Sequence, residues 1–444
     1  MSTARRIAAR HAFIAGAFRP ATVAIVDGVI AAVDAFDADA DTVLSDDAVL
    51  LPGLVDSHVH LDEPGRTQWE GFATGTAAAA AGGVATVVDM PLNSVPVTTT
   101  PAALAAKRRA AAGKLAVDLA YWGGAVPDNI GRLRELAEAG VVGFKCFLSP
   151  SGIDEFGHLD AAQLEAVLTE LAAFDALLIV HAEDPTHLHA HGALGPRYVD
   201  FLATRPPASE RAAIRLVIDT ARRTGARVHI VHVSDGEALD DVRAARAEGV
   251  RITVETCPHY LTLDAADVPD GAAAFKCCPP IRDAANQDLL WAGVVDGTID
   301  AIVSDHSPAT LDLKDPDFGL AWGGIAGLQT GLSAIATAAA ARGIPLEAVL
   351  PLMTTGPARV AGLDGLGEIA PGAPAHLVVF APDESFTVAA EALEYRNPVS
   401  PWDGRTLTGL VRATIVHGED VYRRGQAVTV RHGRELLASV RERA

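Results

Sequence analysis

Apolar and polar positions along the chain fall into three regimes. Through residue 50 they alternate in short runs, at 22–26 and again at 29–33 beyond an Asp27-Gly28 turn signal, with the period of half-buried strands. From residue 51 the alternation gives way to near-continuous runs of Val, Ile, Leu and Ala, each followed by a stretch of helical character. Strands are predicted at 51–59, 84–89, 115–121, 141–148, 177–181, 227–233, 250–256 and 299–304. Helices are predicted near 70–81, 101–112, 128–139, 161–173, 209–224, 236–247, 282–295 and 325–341. Runs without alternation suit strands covered on both faces, and eight such units predict an α/β protein built as a (β/α)8 TIM barrel. A doubly wound sheet is disfavoured because no GxGxxG motif follows the first strand. After residue 366 the β pattern returns at 376–380 and 410–416. Neither terminal segment is large enough for a core of its own, so the two are expected to build one small β-sandwich. The expected division is 1–50 for its N-terminal part, 51–365 for the barrel, and 366–444 for its C-terminal part and the tail.

Composition narrows the partners. Hydrophobic residues make up 49% of 444, enough for a large core, and the net charge is -20. That balance argues against nucleic acid and anionic membranes, both of which need clustered positive charge, and says nothing for or against a small-molecule substrate. No apolar run reaches membrane-spanning length. The four cysteines lack CxxC spacing, and residues 1–10 are basic without the apolar stretch of a secretory signal, so a reducing cytoplasm is the expected location.

The candidate chemistry sits at the predicted strand ends. His58 and His60, in Val55-Asp56-Ser57-His58-Val59-His60, are two residues apart on a strand and point to one side. An isolated pair of this kind reads more readily as surface histidines. This pair, however, closes the first barrel strand, on the face where such barrels carry their active sites. Lys145 ends the fourth apolar strand, where a charged amine is costly unless neutralised or paired. His181 ends the fifth strand, and Asp305 follows the eighth. In the sixth, His229 and His232 are three apart and are expected on opposite sides, with His232 facing inward. Imidazole and carboxylate together suit Zn, Mn, Fe or Co. The cluster His187, His189 and His191 reads as a solvated loop.

His58-Val59-His60, Lys145, His181, His232 and Asp305 resemble, position by position, the ligand set of the cyclic amidohydrolases, which include dihydroorotases, hydantoinases (dihydropyrimidinases) and allantoinases. The resemblance covers essentially the whole chain. It implies two divalent metal ions, zinc foremost with Mn, Co or Fe as alternatives, bridged by a carbamate that Lys145 forms with CO2. It further implies His58, His60 and Asp305 on one ion and His181 and His232 on the other. A hydroxide between the ions would attack the ring amide, with Asp305 as the catalytic base and acid. Homodimers or homotetramers are also implied. Scaffold relatives of this fold lose metal ligands, whereas this chain keeps every one.

Local sequence separates the branches. Dihydroorotases typically place arginine two residues beyond the HxH pair to meet a carboxylate; this chain has Asp62, with Arg66 nearby. Hydantoinases typically carry tyrosine five residues beyond the lysine; here Pro150 offers neither hydroxyl nor N–H. Glu63-Pro64-Gly65-Arg66-Thr67, Asp89-Met90-Pro91-Leu92-Asn93-Ser94, Lys276-Cys277-Cys278-Pro279-Pro280 and Trp322-Gly323-Gly324-Ile325 are similar to allantoinase segments. That similarity implies hydrolysis of allantoin to allantoate, with a hydantoinase-type cyclic amidohydrolase as the alternative. The implied substrate contacts are Asn93, Ser307, Cys278, Gly323, Gly324 and Arg66. Cys278 stands where allantoinases often have serine. His376 stands where the family often has aspartate, and it is expected to be structural.

Overall fold

The structure is a computed structural model describing residues 4–189 and 192–439. Ala4–Ile14, Ala17–Val26 and Val29–Asp34 form a meander joined by two-residue turns, with Ile14 opposite Ala17 and Val26 opposite Val29. Both turns place both residues at positive φ, Ala15 and Gly16 at 52° and 86°, Asp27 and Gly28 at 52° and 82°. This handedness matches the strand twist, so the Asp27-Gly28 signal marks a real hairpin. Val49–Pro52 runs parallel to the first strand and antiparallel to Leu377–Thr387, beyond which lie Thr406–Val416 and Glu419–Arg423. The two ends of the chain thus share one connected sheet, to which Thr42–Val43 adds an eighth strand. Ile7, Val23, Ile25, Ile30, Leu50, Leu377 and Ile415 form a core of its own beneath it.

Between these ends all strands are parallel. Leu54–Val59, Val84–Asp89 and Asp118–Tyr121 form one run. Gly123–Gly124, Phe144–Phe147, Leu177–His181, Arg227–Ile230, Ile252–Thr256 and Ala301–Ile302 form a second. Trp122 alone separates the runs: its N–H donates to the Asp89 carbonyl at 2.9 Å, and that of Gly123 donates to Gly143 at 2.9 Å. At the other edges Val59 bridges His306 in parallel, and the His60 N–H donates to the His306 carbonyl at 2.8 Å. Helices follow the strands from Phe72–Ala81 to Gly331–Ala341, with Asp118–Tyr121 and Gly123–Gly124 sharing Leu133–Glu138. Thr100, before Pro101, and Asp160, before Gln163, cap two of them by accepting from the N3 N–H.

Several elements are shorter than the pattern predicts. The sixth strand stops at Ile230 rather than 233, and the eighth spans only Ala301–Ile302. Just beyond, His232 and Asp305 take left-handed φ of 40° and 44°, which breaks strand alternation. The helix expected from 325 begins at Gly331, because Ile325 instead bridges His306. Among the described residues no helix is long and apolar enough to cross a membrane.

Candidate metal centre

The C-terminal ends of the parallel strands open into a cavity of about 260 Å³ whose wall contains His58, His60, Lys145, His181, His232 and Asp305. Alternation along Leu54–Val59 and just beyond delivers the first two to one side. The left-handed backbone at His232 and Asp305 turns those side chains inward where the strands have ended.

A set of buried carboxylates orients the imidazoles. The Glu255 carboxylate lies 2.5 Å from His58 Nδ1 and 3.0 Å from His229 Nε2, and His229 Nδ1 lies 2.8 Å from Thr253 Oγ1. With Nδ1–H donating to Glu255, His58 turns Nε2 to within 3.1 Å of Asp305 Oδ1 with no well-formed hydrogen bond, and against burial and Lys145 the carboxylates of Asp305 and Glu255 raise the imidazole above its ordinary value. His60 Nδ1 donates to the Leu92 carbonyl at 2.7 Å, leaving Nε2 3.6 Å from Asp305 Oδ1. His181 Nε2 meets Glu183 at 2.8 Å, its Nδ1 lies 3.0 Å from His232 Nε2, and His232 Nδ1 is buried without a partner.

Protonation follows from burial and charge. Burial pushes His60 down to about 3 and His232 well below its ordinary range, so both are neutral lone-pair donors. Burial lowers Lys145 to about 8, which leaves about a tenth of it as free amine at pH 7. Burial would raise Asp305, yet His58, by its charge and its close Nε2 contact, holds it well below the usual carboxylate range. Ligand atoms of His58, His232 and Asp305 lie within 4.8 Å of one another, as do those of Cys257, His259 and Asp305. The neutral imidazoles of His60 and His232, an ionised carboxylate and orphaned buried nitrogens fit divalent cations.

Of the expected substrate contacts, Asn93, Ser307, Cys278, Gly323 and Gly324 line the cavity, and Pro150 does too. Gly324 has φ 140°, and a Cβ there would lie 2.1 Å from the Ser307 carbonyl, so only glycine allows these segments to meet. Arg66 corrects the expectation. It is absent from the lining because its guanidinium is tied to the Asn93 carbonyl at 2.6 Å and to Glu155 at 3.0 Å. Asp62 is also absent from the wall; it is fully buried, and burial together with Asp89 and Glu70 raises its carboxyl well above the ordinary range. It therefore presents no charge to a bound molecule and instead accepts from Asn93. His229 and His232 do not point apart: His232 enters the wall while His229 reaches Glu255 beneath it, because the strand ends between them. His187 is exposed beside Asp184, and His191 lies outside the described residues.

Other residues of the site escape a reading by motif. Glu255 and Glu183 hold His58 and His181, and a carboxylate inside or just beyond an apolar strand was the signal available for both. Arg205, paired with Glu183 at 2.7 Å, and Lys276, which donates to the Ala321 carbonyl at 2.5 Å, bring cations to the wall. Both sit in irregular segments, Arg205 outside any motif and Lys276 at the head of the Lys276-Cys277-Cys278-Pro279-Pro280 segment. His259, buried with neither ring nitrogen bonded, sits beside Asp305.

Parallel strands that direct imidazoles, a lysine and an aspartate into one cavity define a metal-dependent hydrolase, and residues 49–421 match the amidohydrolase family, to which the chain belongs. It is 56% identical to an allantoinase of Streptomyces avermitilis over 92% of this chain and 93% of that one. It is 42% identical to an allantoinase of Arabidopsis thaliana over 88% and 81% of the two chains. Among solved structures, an L-hydantoinase (dihydropyrimidinase) from Arthrobacter aurescens superposes with TM-score 0.90 at 28% identity, covering 98% of this chain and all of that one.

Proposed function

We propose that this protein hydrolyses the cyclic amide bond of allantoin to give allantoate. The observation that carries the proposal is the convergence of His58, His60, Lys145, His181, His232 and Asp305 on one cavity, in a chain 56% identical to an allantoinase. His58, His60 and Asp305 would hold one divalent ion, zinc foremost, and His181 and His232 a second. Lys145, with its amine partly uncharged, would take up CO2 as a carbamate and bridge them. Such ions supply an acidified water and a polarised carbonyl. The chain's own groups do the rest. Asp305, ionised beside His58, accepts the proton of the attacking water and returns it to the departing ring nitrogen. Asn93 and Ser307 offer amide and hydroxyl partners to a neutral, polar ring. We also read the parallel strands as one closed (β/α)8 barrel spanning 51–365, supported by the Trp122 and His60–His306 bonds, with the terminal sheet folded as its β-sandwich. Four free cysteines suit a reducing cytoplasm.

A hydantoinase-type activity is the second reading, favoured by the fold match to an L-hydantoinase. Pro150 in the wall speaks against it, since a proline cannot donate to a substrate oxygen. Hydrolysis of allantoin, hydantoin, dihydrouracil and dihydroorotate is to be compared on protein loaded with zinc, manganese or cobalt in bicarbonate. Strong preference for allantoin is expected, and preference for hydantoin or dihydrouracil would reject the assignment. Lys145→Ala should abolish turnover and lower bound metal while circular dichroism stays unchanged; full activity in that variant would remove lysine from the centre.

A further inference from the structure

A second cluster of metal-ligating side chains lies at the other end of the strands. Asp118 opens the strand Asp118–Tyr121, at the end opposite the cavity, and none of Asp118, His376 and His417 belongs to the cavity wall. His376 precedes the strand Leu377–Thr387, and His417 sits in the turn after Thr406–Val416, so both come from the terminal sheet. Three segments distant in sequence therefore place one carboxylate and two imidazoles together.

The geometry points to a binding site for one transition-metal dication of the zinc class, held by Asp118, His376 and His417. Ligand atoms of all three lie within 4.8 Å of one another. His417 Nε2 is 2.9 Å from Asp118 Oδ1, and His376 Nε2 is 3.5 Å from Asp118 Oδ2. Around a tetrahedral ion with bonds of about 2.0 Å, ligand atoms stand roughly 3.3 Å apart, so small adjustments would admit the ion. A second observation is independent of the clustering. Asp118 Oδ2 and His376 Nε2 are both buried without a hydrogen-bond partner, on side chains only 1% and 5% exposed. These two atoms face each other at 3.5 Å without a well-formed hydrogen bond, which is costly for buried polar atoms, and a cation between them would satisfy both at once. Two nitrogens and one oxygen leave the fourth position to water and favour zinc, or nickel and copper, over magnesium or calcium.

The ion would act as a clamp. Asp118 Oδ1 also accepts from the Arg434 N–H at 2.8 Å, so the same carboxylate joins the parallel strands, the terminal sheet and the C-terminal segment. The test is a metal count on the full chain, equilibrated with zinc and freed of loosely held ions by gel filtration. Compared with the parent protein, His376→Gln and His417→Gln should each carry one zinc fewer while allantoin turnover is retained. Zinc should also raise the Tm of the parent by more than that of either variant. Equal zinc content in the parent and both folded variants would overturn the proposal. Anomalous diffraction at the zinc edge on the parent protein does not depend on variant folding. A peak between the three side chains is expected, and its absence at saturating zinc would overturn the site.

Discussion

Glu255→Gln isolates how the fold prepares a ligand. Glu255 is 1% exposed and accepts from two imidazoles, His58 at 2.5 Å and His229 at 3.0 Å. Burial would raise its carboxyl, but the two histidines hold it down to about 2, so it is charged at working pH. That charge fixes the His58 tautomer with the lone pair on Nε2 and strengthens it as a donor. Glutamine keeps the shape and can still accept the Nδ1–H, but loses the charge. Partners of this kind are worth about 10- to 100-fold in metal affinity, or about 1.4–2.7 kcal/mol. We expect Glu255→Gln to weaken metal binding by roughly 10-fold and Glu255→Ala by roughly 100-fold. Competition against a chromophoric chelator measures both. Because His229 acts through the same carboxylate, His229→Gln should add little in the Glu255→Ala background. Metal affinity within twofold of the parent in both Glu255 variants would refute the orienting role.

Lys107 and Asp89, 2.6 Å apart with neither side chain exposed, form a buried pair behind the loop that carries Asn93. Lys107→Met should cost about 3–5 kcal/mol by stranding Asp89, seen as a fall in Tm, and adding Asp89→Asn should recover part of it; an unchanged Tm would contradict this. Lys314 donates to the carbonyls of Trp322 at 3.1 Å and Gly324 at 2.7 Å, which lie in the cavity wall. Losing both hydrogen bonds in Lys314→Met should loosen that segment and raise KM by about fivefold, a net of about 1 kcal/mol, with bound metal unchanged; an unchanged KM would contradict this.

The sequence by itself determined the alternation of strand and helix, because buried parallel strands need unbroken apolar runs and their helices do not. It also singled out six side chains that the fold gathers around one cavity. A histidine pair at a strand end, a lysine in an apolar strand and an aspartate after another are anomalies against such a background. Tertiary structure decided what surrounds them. Glu255 and Glu183 become orienting groups only once neighbouring strands lie side by side. Arg66 and Asp62, close to the histidine pair in sequence, turn away from the cavity to hold Asn93. The left-handed turns at His232 and Asp305 override strand alternation, so spacing alone misplaced His229. Asp118, His376 and His417 are separated by most of the chain, and only the docking of the terminal sheet against the parallel strands brings them together. Sequence pattern records each residue's local environment, whereas a site built from several segments depends on distances that only the folded chain sets.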